Sequence, residues 1–382
     1  MKNAYDIVII GGGIIGCSVA FELAKRGRTD VLIVEKEYLT SGATGRCGAG
    51  IRQQWGSVIN AKLAYESTHI FENLEEYTGY TGNCGLNQKG YLLIAYTEKE
   101  WEQFQKNLKI QHSVGIDSHA VDLYGIKEIV PHINTEGMYG ACFCAKDGHA
   151  DPFHCTYAYA EGARKMGVDT ETYTTVTGFV TKSGKIKSVQ TCKGEIDANI
   201  VINCTGGYAA IMASTVGDDL PIFPERHQIL ITEPVAHIMD PMVMSFHKHF
   251  YVQQTPHGSV IMGIGDPSEP VSLNINASWQ NLELTAHLIT QTLPVFRDLR
   301  VVRQWAGLYD MSPDRYPIIN PAKEADGFIT VAGLSGHGFM IAPRLSILLA
   351  NHLAGQDDEM DINIFSAERY QKGELLIEPA VV

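Results

Sequence analysis

The residues best suited to chemistry in this chain are glycines set at the ends of apolar runs. Gly11, Gly13 and Gly16 form a Gly-x-Gly-x-x-Gly string. Glu35 stands close to the ~20-residue offset at which an acid meets a ribose diol in dinucleotide-binding folds. Gly11 permits the tight turn, Gly13 admits a pyrophosphate to the backbone, and Gly16 lets helix and strand pack closely. A helix opening there turns its partial positive charge toward the phosphates. This unit by itself leaves the dinucleotide open. After it comes Ser41-Gly42-Ala43-Thr44-Gly45-Arg46-Cys47-Gly48-Ala49-Gly50-Ile51-Arg52, a row of small residues that suits a backbone lying against a flat or charged ligand. Arg52 closes the row with a guanidinium fork that pairs bidentately with a carboxylate. Cys204-Thr205-Gly206-Gly207 offers a second backbone contact to a dinucleotide, and Gly333-Leu334-Ser335-Gly336-His337-Gly338 is a third glycine bend.

The elements that must position these residues alternate between apolar runs and helical patterns, so the chain reads as α/β. Ile7 to Ile10 is a β-branched run fit for a buried parallel strand, Ile14 to Arg26 is a helix stopped by Gly27, and Val31 to Val34 is the next strand. Thr156 to Met166 reads as a helix, Tyr173 to Thr181 and Ile186 to Thr191 as a hairpin through Ser183–Gly184, and Ile200 to Asn203 as a buried strand. Phe328 to Ala332 reads as a strand running into the third bend, followed by a helix from about Met340 to Leu353. Three distant strand–glycine-turn segments thus point to one sheet. The stretches 83–144 and 217–302 are richer in aromatics and alternate more, as an antiparallel domain does. The layout is a discontinuous domain over 1–82, 145–216 and 303–382, interrupted by a second over 83–144 and 217–302.

Composition excludes several classes. Of 382 residues, 30 are Lys or Arg and 43 Asp or Glu, giving a net charge of −13. That balance argues against a nucleic-acid surface or a polybasic membrane anchor. No run approaches the ~18–20 apolar residues that span a bilayer, and the apolar start carries Asp6 and three glycines, unlike a secretory leader, so the cytoplasm is the expected location. The eight cysteines form no CxxC pair and read as mostly buried small apolar residues. His247, Lys248 and His249, read as strand positions pointing two ways, make no metal site, and none is expected elsewhere. Glu98, Glu100 and Glu102 read as a solvated helix face.

Taken together, Gly11–Gly16 with Glu35, the Ser41–Arg52 loop, Asn203–Gly207, Pro313-Asp314-Arg315-Tyr316-Pro317-Ile318-Ile319 and Gly333–Gly338 resemble the FAD-dependent family of D-amino acid oxidase, glycine oxidase and sarcosine oxidase. Within it, residues 45–55 are most similar to the β subunits of heterotetrameric sarcosine oxidase and of dye-linked L-proline dehydrogenase. The resemblance implies a Rossmann-like FAD-binding domain interrupted by an antiparallel-sheet substrate domain. It implies that Gly11, Gly13, Ile14, Ile15, Gly16, Glu35 and Lys36 hold the ADP half. Ser41, Thr44, Arg46, Cys47, Gly48, Ala49 and Gly50 then run along the pyrophosphate and ring, Val176 meets the adenine, and Thr205 and Gly206 add a contact. Gly307, Gly333, Gly336, His337, Gly338, Phe339 and Met340 approach the flavin. Arg52 takes the substrate carboxylate, Tyr251 forms part of an aromatic wall, and His337 acts mainly through its backbone.

Departures from the family refine this. Met340 stands where sarcosine oxidases place a carboxylate-gripping Lys, so the grip differs. Gly307 to Pro313 lacks the Cys that binds FAD covalently in monomeric sarcosine oxidase, so non-covalent FAD is expected. Ala150, with His149 beside it, stands where the heterotetrameric enzyme attaches FMN. This argues against covalent FMN and leaves a non-covalent FMN at a subunit boundary open. The implied activity is oxidation of the Cα–N bond of a secondary amino acid such as proline or hydroxyproline, by hydride transfer to flavin N5. Electrons then pass to a second subunit carrying further redox cofactors, or to a dye. A stand-alone sarcosine, glycine or D-amino acid oxidase, and a non-catalytic flavin-relay subunit, remain alternatives.

Overall fold

The computed structural model describes residues 2–379. Two eight-stranded sheets carry the fold. The first runs in the order Ile318–Pro321, Phe328–Ala332, Gly194–Asn203, Ala4–Ile10, Val31–Val34, Asp169–Glu171, and the hairpin Val176–Lys182 with Lys185–Thr191 joins it beside Gly194–Asn203. Its centre is parallel: Ile7 pairs with Ile200 on one side and Val31 on the other. Such strands are covered on both faces, and the apolar residues divide with the pleat. Ile7, Ile9, Val31 and Ile33 pack beneath the helices Ile14–Lys25, Pro152–Lys165 and Gly338–Leu353. Val8, Ile10, Leu32 and Val34 face the other way, toward Val189 of the hairpin and Ala209 and Ala213 of the short helix Ala209–Ser214.

Local chemistry shifts several boundaries. Asp151 accepts bonds from the Phe153 and His154 amides with Pro152 behind it, so the helix begins at Pro152 and not Thr156. The strand expected from Tyr173 begins only at Val176, because Tyr173 takes φ +50° and turns the chain. Before it an unexpected short strand, Asp169–Glu171, pairs parallel with Leu32–Val34. The last helix opens at Gly338, two positions ahead of expectation.

The second sheet has the order Val301–Met311, Phe223–Thr232, Val260–Ile264, Phe250–Gln254, Met242–Ser245, Tyr91–Ala95, Gly140–Cys144, Ser118–Val121. It is antiparallel except where Met242–Ser245 meets Tyr91–Ala95. Val301–Met311 pairs along its length with Phe223–Thr232, so the boundary expected at 302/303 cuts through a strand of this sheet. His247 to His249 lie in the turn before Phe250, not on a strand. Glu100 departs from the solvated face. It is buried, closing a capping box with Thr97 at the start of helix Glu98–Val114. Five of the eight free cysteines are buried, Cys142 and Cys144 among them; Cys192 is exposed. Among the described residues no helix is long and apolar enough to cross a membrane.

Candidate functional site

The three glycine bends converge at the carboxyl ends of the first sheet. Gly11, at φ +112°, lies so close to the next strand that a β-carbon there would run into the Cys204 carbonyl. One at Gly16 would strike the Gly11 carbonyl, which forces helix Ile14–Lys25 against the turn. Gly13 is the helix N-cap and brings no side chain; Thr44 supplies one, accepting the Ile14 amide at 3.1 Å. Ile14 and Ile15 themselves point into the core. Glu35 is buried at the end of its strand. Its carboxylate accepts from the Gly12 amide at 2.8 Å, the Glu37 amide at 2.9 Å and Ser41 Oγ at 3.2 Å. Glu35 thus ties the first bend to the loop that follows. Lys36 lies over the Tyr208 ring, and the Thr174 amide bonds the Glu35 carbonyl, which brings Val176 to the same edge. The second bend follows Asn203 and is tied to the neighbouring strand where the Cys204 amide donates to the Ile10 carbonyl. Thr205 Oγ1 donates to Asn203 Oδ1 at 2.7 Å, and Gly206 takes φ +54°.

The loop after Glu35 crosses to the second sheet. Arg46 donates to the Ser41 and Ala306 carbonyls, and Trp305 Nε1 donates back to the Arg46 carbonyl. Gly307 lets Arg46 pass; a β-carbon there would meet Arg46 Cβ at 3.2 Å. Gln253 Nε2 donates to the Gly48 carbonyl at 2.8 Å, and the Tyr251 ring faces Gly48. Tyr91 crowds Gly50, and Tyr309 crowds Gly336 in the third bend. Tyr91, Tyr251 and Tyr309 thus gather about the loop and the third bend, close enough to act on one another electrostatically. The third bend hangs from Asp310, whose carboxylate accepts the Leu334 amide at 3.1 Å and whose carbonyl accepts the Ser335 amide. Burial pushes the Asp310 carboxyl up to about 6.

Arg52 is 4% exposed. Its guanidinium lies 3.9 Å from the Trp55 ring centroid and 5.3 Å from that of Phe246, and donates to the Gln54 carbonyl. No salt bridge joins it to a carboxylate among the described residues, although the charges of Asp147 and Glu378 act on it. A buried cation is normally paired; the partner of this one is the Gln54 carbonyl. His337 packs edge-on against Trp55 at 4.8 Å, its Nε2 buried without a hydrogen bond. Burial and the Arg52 charge push its imidazole down to about 3, which keeps it neutral.

Residues 6–352 match the DAO family, described as FAD dependent oxidoreductase. The chain belongs to this family. It is 35% identical to the crystal structure of L-proline dehydrogenase from P. horikoshii, which covers 98% of this chain and 100% of that one with a TM-score of 0.92. Among curated relatives it is 28% identical to sarcosine oxidase subunit beta of Rhodobacter capsulatus, over 99% of this chain and 91% of the relative. It is 29% identical to that of an Arthrobacter species, over 99% and 94%. A DAO-family chain is an FAD-dependent oxidoreductase with a Rossmann-like cofactor domain, as the sequence motifs implied.

The residues fit that cofactor. Glycines stand where a β-carbon would block the backbone, and Gly42 and Gly206 face open space. Two helices open without a side-chain cap from their own N-cap residues, Gly13 and His337. The buried Thr40 Oγ1 has no partner. Two expected positions contribute less through their side chains. Phe339 stacks on Phe71 at 5.3 Å, inside the helix packing. The Cys47 thiol turns to the Thr44 carbonyl and burial pushes it up to about 11. Sequence reading missed Tyr91, Asp147, Tyr309 and Asp310. Tyr309 had a signal, since it shares a strand face with Gly307 at a two-residue spacing. Asp147 had none: it lies in a turn after Gly140–Cys144 and reaches the site only through the sheet.

Proposed function

We propose that this chain is the catalytic, β-type subunit of an FAD-dependent amino-acid dehydrogenase acting on a secondary amino acid such as proline or hydroxyproline. The observation that carries this reading is the buried guanidinium fork of Arg52, which bonds the Gln54 carbonyl and no carboxylate among the described residues. The fork takes the substrate carboxylate bidentately. Trp55 and Phe246 hold the guanidinium flat and dry. Tyr91, Tyr251 and Tyr309 exclude water from the amine, and a dry site lowers an ammonium pKa, favouring the neutral amine the reaction needs. His337, neutral down to about pH 3, carries no charge against that amine. Gly11–Gly16, Glu35, Ser41–Gly50, Val176, Thr205–Gly206 and Gly333–Met340 hold the cofactor. FAD, when bound, supplies the hydride acceptor. The L-proline dehydrogenase likeness, at 35% identity, supports the cyclic-substrate reading.

FAD is held non-covalently, because Gly307 to Pro313 offers no thiol. Electrons leave to a second subunit or a dye; the relatives named as β subunits support this. His149 is buried and pairs with Ile51's neighbour Gly50, so an FMN at a subunit boundary would be non-covalent. The eight free cysteines suit a reducing, cytoplasmic compartment. The test is anaerobic bleaching of the flavin with L-proline, hydroxyproline isomers, sarcosine, glycine and D-alanine. Bleaching by the cyclic amino acids supports the reading. No bleaching by any of them removes it in favour of a relay subunit, and rapid peroxide formation in air removes the partner-linked exit.

A further inference from the structure

Between Arg52 and the helix Val58–Phe71 the chain is held by partners from far along the sequence. The Gln53 amide and Gln54 Nε2 end on Asp147, whose buried carboxyl is pushed up to about 6. Trp55 comes next. Its ring lies 3.9 Å from the Arg52 guanidinium, and its Nε1 donates to the Arg52 carbonyl at 3.1 Å. The peptide joining Trp55 to Gly56 is pinned at both ends. Its carbonyl accepts from Gln111 Nε2 at 3.0 Å, and its N–H donates to the Glu378 carboxylate at 2.7 Å. Glu378 also accepts from Ser57 Oγ at 2.8 Å and from Asn60 Nδ2 at 2.9 Å. Three donors at the start of the helix thus end on one carboxylate. Ser57 is the helix N-cap, where the helix dipole favours a negative charge.

Glu378 is buried, and the residues before it are tied down. The Leu376 amide donates to Asp314, which pairs with Arg369 at 2.7 Å. The Tyr316 hydroxyl lies 2.6 Å from Ser57 Oγ and 3.1 Å from the Ile377 carbonyl. A buried donor that loses its acceptor costs more than the bond contributed, so without the carboxylate these groups must move to find new partners. The Gly56 amide can do so only by turning the Trp55–Gly56 peptide, and the Trp55 ring turns with it. We propose that Glu378 is a positioning residue for the Arg52 fork, acting through Trp55. This rests on the carboxylate-anchor reading of Arg52. The charge of Glu378 also acts on Arg52, and a ligand carboxylate feels it as repulsion. Losing the grip on Trp55 therefore weakens docking, whereas losing the charge strengthens it. Glutamine separates the two effects. It keeps an acceptor for the Gly56 amide, and Asn60 Oδ1, buried without a partner, can accept from its new NH₂ once the Asn60 amide rotates.

The test uses the holoenzyme and 2-furoate, a carboxylate without an amine. Binding is read by calorimetry, with flavin content and melting temperature measured on each variant. E378A should raise the 2-furoate Kd about tenfold in protein that retains its flavin, and E378Q should stay within about threefold of wild type. A merely structural role lowers the melting temperature of E378A and leaves its Kd unchanged. A merely electrostatic role makes E378A and E378Q both bind more tightly. Either result overturns the proposal while leaving the Arg52 anchor standing. If E378A does not fold, E378D decides: it keeps the charge but withdraws the carboxylate by one methylene, so its Kd should exceed that of E378Q. Wild-type affinity in E378D then overturns the proposal. Equal binding by R52A, or none by the wild type, overturns the anchor itself and the positioning role with it.

Discussion

Replacing Arg52 by alanine removes the fork from the proposed carboxylate site. Each charge-assisted hydrogen bond is worth about 1.5–3 kcal/mol, so a lost bidentate contact costs about 3–6 kcal/mol. At about 1.4 kcal/mol per decade, kcat/KM should fall about 10²–10⁴-fold. The loss should appear mostly in KM, because the carboxylate is held alike before and during the reaction. Stability should move little. The stacking on Trp55 at 3.9 Å is lost, about 1–2 kcal/mol, but so is the desolvation of a buried guanidinium. Arg52→Lys keeps the charge without the fork and should fall between. The assay is steady-state reduction of an artificial dye with the best substrate of the bleaching panel, with flavin content and melting temperature measured alongside. A kcat/KM within about twofold of wild type, in protein that retains its flavin, would refute the assignment of Arg52.

Gly16→Ala should purify without flavin, because its methyl group meets the Gly11 carbonyl and forces the helix off the turn; visible absorbance of the purified variant checks this. Asp310→Asn should gain stability over wild type as pH rises. The folded carboxyl titrates near 6 against about 3.9 unfolded. The folded state therefore holds the extra proton between those values, and Asp310 becomes unfavourable above them. Melting temperatures of both proteins from about pH 4.5 to about pH 7.5 should diverge in the variant's favour; a constant difference would sink the account. His337→Asn should leave the kcat/KM–pH profile unshifted between about pH 6 and pH 9, since an imidazole near 3 does not titrate there.

Local rules carried the first unit closely: Val31–Val34 coincides, the first strand opens at Ala4 ahead of Ile7, and the helix ends at Lys25, one residue before Arg26. A β-branched run, a turn without side chains and a helix stop are all sequence-local. Departures fell where a cap or a backbone strain lay outside the pattern read. Asp151–Pro152 moved a helix start, and Tyr173 at positive φ delayed a strand to Val176. Glu100 looked solvent-facing by charge, yet its carboxylate is used by the Thr97 amide.

The amino-acid order alone marked the three glycine bends and pointed to Arg52 as a proposed anchor, because glycine spacing and a guanidinium carry their chemistry wherever the chain goes. Only the tertiary structure decided what surrounds them. Tyr91, Tyr309 and Asp147 come to Arg52 and the glycine bends across sheet pairings between Tyr91 and Cys144 and between Gly307 and His227. Such long-range register leaves no local mark, and neither does the desolvation it creates: the raised carboxyl of Asp147 and the lowered imidazole of His337 exist only once both sheets close over them.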